Sequence, residues 1–125
     1  PTEIKAVIIS ARQVYKDRKI ICVFQPHRYS RVNSLKNEFA SSFKSSDTVV
    51  LCPVYSAGEK IRYNFNQDSF AKLISNKSKT QIINIKNQKE LKSYFKKNLL
   101  EDEMVICMGA GSISNWIREI GDELK

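Results

Sequence analysis

The stretch Ile20-Ile21-Cys22-Val23-Phe24-Gln25-Pro26-His27-Arg28-Tyr29-Ser30-Arg31 decides how the chain is read. Its apolar run, Ile20 to Phe24, suits a buried strand, and Pro26 ends that strand because proline brings no backbone donor to a sheet. Ser30 is well placed to cap a helix opening near Arg31. Three side chains with strong chemistry, His27, Arg28 and Arg31, therefore crowd one strand-to-helix corner. In an open parallel sheet such corners, at the carboxyl ends of strands, are where ligands bind. Two arginines three positions apart at a helix start can converge on one anion through their guanidinium forks. The alternative is that both coat a solvated helix end. A helix start already favours anions, however, and has no structural need for two cations.

Working outward, the residues before this stretch carry Ile4, Val7, Ile8, Ala11 and Tyr15 at helical spacing, which predicts an amphipathic helix from Thr2 to about Tyr15. After it, Leu35, Phe39 and Phe43 mark one face of a helix expected over about 31–44, broken by Ser45-Ser46-Asp47. A second strand is expected at Thr48 to Cys52, stopped by Pro53, and an irregular stretch follows to about Asn66. Phe70, Leu73 and Ile74 mark a short third helix, and Gln81 to Ile85 a third strand. Asn87 followed by Glu90 has the form of a capping box for a helix bearing Leu91, Tyr94 and Phe95. Met104 to Met108 reads as a fourth strand, and Gly109-Ala110-Gly111 turns into a last helix with Ile113, Trp116, Ile117, Ile120 and Leu124 as its stripe.

Strands alternating with helices at a period of about 30 residues indicate βαβ units and a mostly parallel sheet with helices on both faces. Right-handed crossovers and neighbour pairing favour the strand order 3-2-1-4, half of a doubly wound α/β fold. That order sets the corner after the first strand, His27-Arg28, beside the corner after the fourth, Gly109-Ala110-Gly111-Ser112, about 80 residues later in the chain. The two loops then flank one crevice.

Composition narrows the function classes. The chain has 125 residues, of which 42% are hydrophobic, enough for one domain with a real core. No apolar run approaches the roughly eighteen residues of a membrane span, and a soluble, cytoplasmic protein is expected. The three cysteines, Cys22, Cys52 and Cys107, lie in apolar runs without zinc-ligand spacing and read as reduced core residues. The net charge of +8 gathers in the lysines from Lys72 to Lys97, where Glu90 is the one acid. This basic face lacks arginine, and its Tyr94 and Phe95 belong to the core by spacing, so a solvated surface is favoured over nucleic-acid binding. Pro1 stands first instead of methionine and a helix opens within two residues, which suggests a piece of a longer protein.

The remaining motifs are partial. Gly109-Ala110-Gly111 is a fragment of GxGxxG that either sets backbone N–H groups against an anion or forms a tight turn with Ser112 as helix cap. There is no GxxxxGK[ST] phosphate loop, no nucleophile elbow and no HExxH pattern. His27, the single histidine, has no carboxylate near it in sequence and reads as a polar wall residue rather than a base. In the long loop, Tyr55 and Gly58 shape the turn, while Glu59 is a weak candidate for a metal or a substrate amine.

Four blocks together, Pro1-Thr2-Glu3-Ile4 with Ala11-Arg12, Phe24 to Arg31, Val54-Tyr55-Ser56-Ala57-Gly58-Glu59 and Met108-Gly109-Ala110-Gly111, resemble the C-terminal domain of the Mur ligases, in the branch that joins L-alanine to UDP-N-acetylmuramate. The order and spacing match across essentially the whole chain, the FQPHRYSR block being the most specific part. The resemblance implies a Rossmann-like third domain of an ATP-dependent, amide-forming ligase of peptidoglycan synthesis. ATP and magnesium would serve the full-length enzyme and neither would be bound by this domain alone. It further implies that Arg28 and Arg31 hold the alanine carboxylate, that His27 lines the same pocket, and that Tyr55, Gly58, Glu59, Gly109 and Gly111 are loop candidates, with no catalytic residue here. Pro53 and Ser112 stand where many members carry Asp, so no carboxylate role transfers to them. A related ligase that attaches a tripeptide to the same sugar nucleotide shares much of the pattern, and Thr2-Glu3 favours the alanine enzyme.

Overall fold

The structure, a computed structural model, describes residues 1–58, 65–98, 103–109 and 113–124, the side chains of 114, 123 and 124 excepted. It contains four strands, β1 (Ile20–Gln25), β2 (Thr48–Leu51), β3 (Gln81–Asn84) and β4 (Met104–Gly109), in the order β3-β2-β1-β4. All pairings are parallel, with Val23 opposite both Val50 and Cys107. The expected fold class and strand order are thus those observed.

Alternation along the strands divides the core into two layers, because successive side chains point to opposite faces. Cys22, Phe24, Val49 and Leu51 face one layer, covered by Ile4 and Ile8 of α1 (Thr2–Val14), Val32 of α2 (Tyr29–Ser34), Phe39 of α3 (Lys36–Ala40), and Phe70 and Ile74 of α4 (Gln67–Ser78). Ile21, Val23, Val50 and Cys52 face the other, covered by Leu91 and Phe95 of α5 (Gln88–Asn98) and by Ile113 and Ile120 of α6 (Ile113–Leu124). Every residue of β1 is buried, as expected of a strand with neighbours on both sides and helices on both faces.

Several local expectations are corrected. The helix expected over 31–44 is two short helices separated at Leu35, and its start lies at Tyr29, so Ser30 sits inside α2 rather than at its cap position. The buried Ser78 hydroxyl donates to the Ala40 carbonyl at 2.6 Å and accepts the Phe43 amide at 3.1 Å, a tertiary substitute for the missing helical turn. Cys107 is exposed, unlike Cys22 and Cys52, because β4 has one strand neighbour among the described residues and its residues are only half covered. Burial raises the thiols of Cys22 and Cys52 to about 12, with neighbouring thiols adding at both. At neutral pH these are thiols, not nucleophilic thiolates. Val7, counted in the apolar stripe of α1, is 43% exposed. The Asn87 side chain does accept the Glu90 amide at 2.9 Å, as the capping reading expects.

Arg12 ties the amino end of the sheet together. Its guanidinium donates to the carbonyls of Arg18 at 2.8 Å and Ser45 at 3.0 Å and pairs with Asp47 at 2.6 Å. Asp47 in turn accepts the Ile20 amide at 2.7 Å. Partial burial raises its carboxyl, but the Ile20 amide and the Arg12 guanidinium outweigh this and hold it below its ordinary value. A carboxyl lowered in the folded state stabilises above its unfolded pKa, and the contribution disappears as pH falls through the folded value. Both partners are partly solvated, so Asp47→Asn is expected to cost no more than about 1 kcal/mol at pH 7. Thermal melts of the variant and the parent should differ at pH 7 and converge once the pH has fallen through the lowered Asp47 value, whereas Arg12→Ala should remain destabilised at both extremes.

Candidate functional site

Because the strands are parallel, the exits of β1, β2 and β4 share one edge. Beyond β1, Pro26 accepts the Tyr55 amide at 2.8 Å and Arg28 donates its own amide to the Tyr55 carbonyl at 2.8 Å. A parallel bridge joins His27 to Tyr55, and their rings stack with centroids 5.7 Å apart and planes 19° from parallel. Pro53 therefore stops β2 without separating the two chains, which pair again two residues on.

The chain then turns sharply. Arg28 adopts φ 65° and ψ 131°, a conformation that L side chains rarely hold and that costs on the order of 1–3 kcal/mol. α2 starts from this turn, with Val32 donating to the Arg28 carbonyl at 3.2 Å. Tyr29 meets Phe65 edge-on, and Phe65 packs on Phe70, which anchors the corner to α4.

On the α1 side of the sheet a cavity of about 420 Å³ opens between α1, α2, α3 and β4. Ile4, Val7, Phe39, Ile106 and Met108 form its apolar wall, and Glu3, His27 and Arg31 bring polar side chains to it, while Gln25 borders it. The exposure of Val7 follows from this, since Val7 faces the cavity rather than a packed neighbour. His27, Arg31 and Gly109 thus meet at one site, as the strand order predicts. Arg28 is exposed and is not among the residues that line it. Tyr55 borders the site through its stack on His27, and Gly58, at φ 82°, forms an exposed turn following Ala57 at φ 53°. Glu59, Gly111 and Ser112, named from sequence, lie outside the described residues.

Gly109 is required by close packing. At φ 136° it lies against Gln25, and a Cβ there would come within 2.4 Å of the Gln25 carbonyl oxygen. The same Gln25, 3% exposed, was not singled out by its sequence. The signal available was a polar residue ending a wholly apolar buried strand just before a proline. Among the described residues no group of three His, Cys, Asp or Glu side chains is placed to hold a metal ion.

The family model described as "Mur ligase, glutamate ligase domain" matches residues 1–111. The chain belongs to the Mur ligase family. Relatives of this Mur ligase domain include the UDP-N-acetylmuramate–L-alanine ligases of Pelagibacter ubique, 45% identical over 96% of the chain, and of Fusobacterium nucleatum, 38% identical over all of it. The chain spans about a quarter (26%) of the length of each of these relatives. Among solved structures, the UDP-N-acetylmuramate-alanine ligase of Thermotoga maritima matches 99% of the chain and 24% of its own, with TM-score 0.70 and 25% identity. A murein peptide ligase from Psychrobacter arcticus, at 13% identity and TM-score 0.74, shares the fold over 99% of this chain and 25% of its own.

Two substitutions test this geometry. Gly109→Ala should lower Tm by several degrees, since both the positive φ and the contact with Gln25 oppose a methyl group. Arg28→Gly should relieve backbone strain and raise Tm by roughly 3 °C. Thermal melts of the two variants beside the parent check both.

Proposed function

We propose that this chain is the C-terminal, third domain of an ATP-dependent ligase that joins L-alanine to UDP-N-acetylmuramate in peptidoglycan synthesis, and that the cavity beside Arg31 receives the amino acid. The observation that carries the reading is the composition of the cavity wall, a guanidinium and an imidazole at the rim of an apolar pocket. L-Alanine is a carboxylate, an amine and one methyl group. Arg31 takes the carboxylate as a charge-assisted, bidentate partner. Arg28, at the exposed turn three residues earlier, supplies a second guanidinium at the corner. The apolar wall accepts the methyl, and His27, held by its stack on Tyr55, lines the polar side.

In the proposed reaction ATP phosphorylates the muramate carboxylate, and the alanine amine attacks the acyl carbon. The new carbon–nitrogen bond forms as the carbon–oxygen bond to phosphate breaks, and the amine loses a proton. The residues of this chain bind and orient the acceptor, which converts an encounter into a positioned attack. The sequence has no phosphate loop, and in this reading the nucleotide chemistry belongs to the remaining domains of the ligase. Such an enzyme works in the cytoplasm, and no helix among the described residues is long and apolar enough to cross a membrane.

Phosphate release by the full-length protein with UDP-N-acetylmuramate and ATP, with L-alanine or the tripeptide as acceptor, tests the reaction. Turnover with L-alanine is expected, and turnover with the tripeptide alone would overturn the acceptor assignment. Arg31→Ala should raise KM for L-alanine roughly ten- to a hundredfold, the loss of a charged hydrogen bond, with kcat little changed. Unchanged alanine kinetics in both Arg31→Ala and Arg28→Ala would refute the carboxylate assignment.

A further inference from the structure

Gln25 ends β1 with its side chain buried, and each end of its amide meets a backbone group from a different corner of the site. Its Nε2 donates to the Pro53 carbonyl at 3.2 Å, just past β2. Its Oε1 accepts the amide of Ile113 at 3.0 Å. Ile113 opens the twelve-residue α6, whose first N–H groups have no partner within the helix, so Gln25 caps it from the neighbouring strand. Its own backbone carbonyl packs on Gly109 at the exit of β4. One residue therefore joins the exits of three strands and the start of α6.

We propose that Gln25 is a positioning residue for the acceptor, holding the His27–Arg31 corner, the Tyr55 loop and the start of α6 in fixed relation. The proposal rests on the reading of the cavity as the amino-acid site. The connection to the ligand is short. Pro53 is two residues from Tyr55, whose backbone bonds Pro26 and Arg28 and whose ring stacks on His27. Fixing the Pro53 carbonyl thus fixes the loop that braces His27 and the strained Arg28 turn. The two partners of the amide have opposite polarity, a carbonyl that needs a donor and an N–H that needs an acceptor. Glutamine satisfies both at this reach, glutamate keeps one, and leucine keeps neither.

The test is the pH dependence of acceptor binding by Gln25→Glu in the full-length ligase, compared with the parent and with Gln25→Leu. The introduced carboxylate still accepts the Ile113 amide but sets an oxygen against the Pro53 carbonyl. Only when protonated does it again donate. KM for L-alanine should rise on the order of tenfold at alkaline pH, with KM for ATP and kcat within about twofold, and should return toward the parent value as pH falls. Gln25→Leu should show a raised KM at every pH. Should Gln25→Leu fail to fold, the near-isosteric Gln25→Glu still decides through its pH profile. An alanine KM within about twofold of the parent throughout, or a parallel loss in all three kinetic constants, overturns the proposal. If the parent itself does not use L-alanine, the ligase reading falls separately. Amide hydrogen exchange then decides for Gln25: faster exchange at Arg28 and Tyr55 in Gln25→Glu at alkaline pH supports the positioning role, and parent-like exchange there overturns it.

Discussion

The parallel pairing of β1 with β2 on one side and β4 on the other is the constraint from which the rest of this domain follows. Parallel strands all end at the same edge, so three chain exits must lie side by side there. A strand bonded on both sides and covered on both faces must also be apolar throughout, which leaves its last residue as the first place where polar chemistry can enter. Gln25 occupies that place. Its amide, with a donor at one end and an acceptor at the other, satisfies the carbonyl left by Pro53 and the N–H at the start of α6.

The site built on this edge combines rigid and strained parts. The recovered pairing of His27 with Tyr55 extends the sheet past the proline that should have ended it, and gives the imidazole a braced orientation. One residue further, Arg28 holds a backbone conformation that glycine would adopt at far lower cost. Arg31, one helical turn on, lines the cavity. At the opposite end of the sheet Arg12 and Asp47 join α1 to the entries of β1 and β2. The helix that walls the cavity is therefore fixed at its far end, away from the cavity.

Much of this was legible in the residues. The apolar runs located the four strands and the periodicity located α1 to within about a residue, and the handedness of βαβ crossovers led to the observed strand order without further information. His27, Arg31 and Gly109 were named from local context and do line one cavity. Where the reading missed, it was because burial depends on neighbours. Cys107 lies in a run as apolar as that of Cys22, yet it is exposed because its strand lacks a second neighbour among the described residues. Val7 fits the stripe of α1 but opens onto the cavity, since a period identifies a face and says nothing of what covers it. Leu35 divides what its pattern presents as one helix, and the buried hydroxyl of Ser78, from a distant helix, bonds the chain beyond the break.

By itself the sequence determined the alternation of strands and helices, the parallel order, the corner where cationic side chains gather and, through the FQPHRYSR block, the likeness to the Mur ligases. These properties reside in spacing and local chemistry, which survive being read one residue at a time. Tertiary structure alone decided that the cavity is walled by α1 and β4, that Arg31 rather than Arg28 lines it, and that Gln25 joins three corners. Each of these depends on partners far apart in the chain, Gln25 with Pro53 and Ile113 above all. Hydrogen-bond geometry between such partners is set only when the strands come into register.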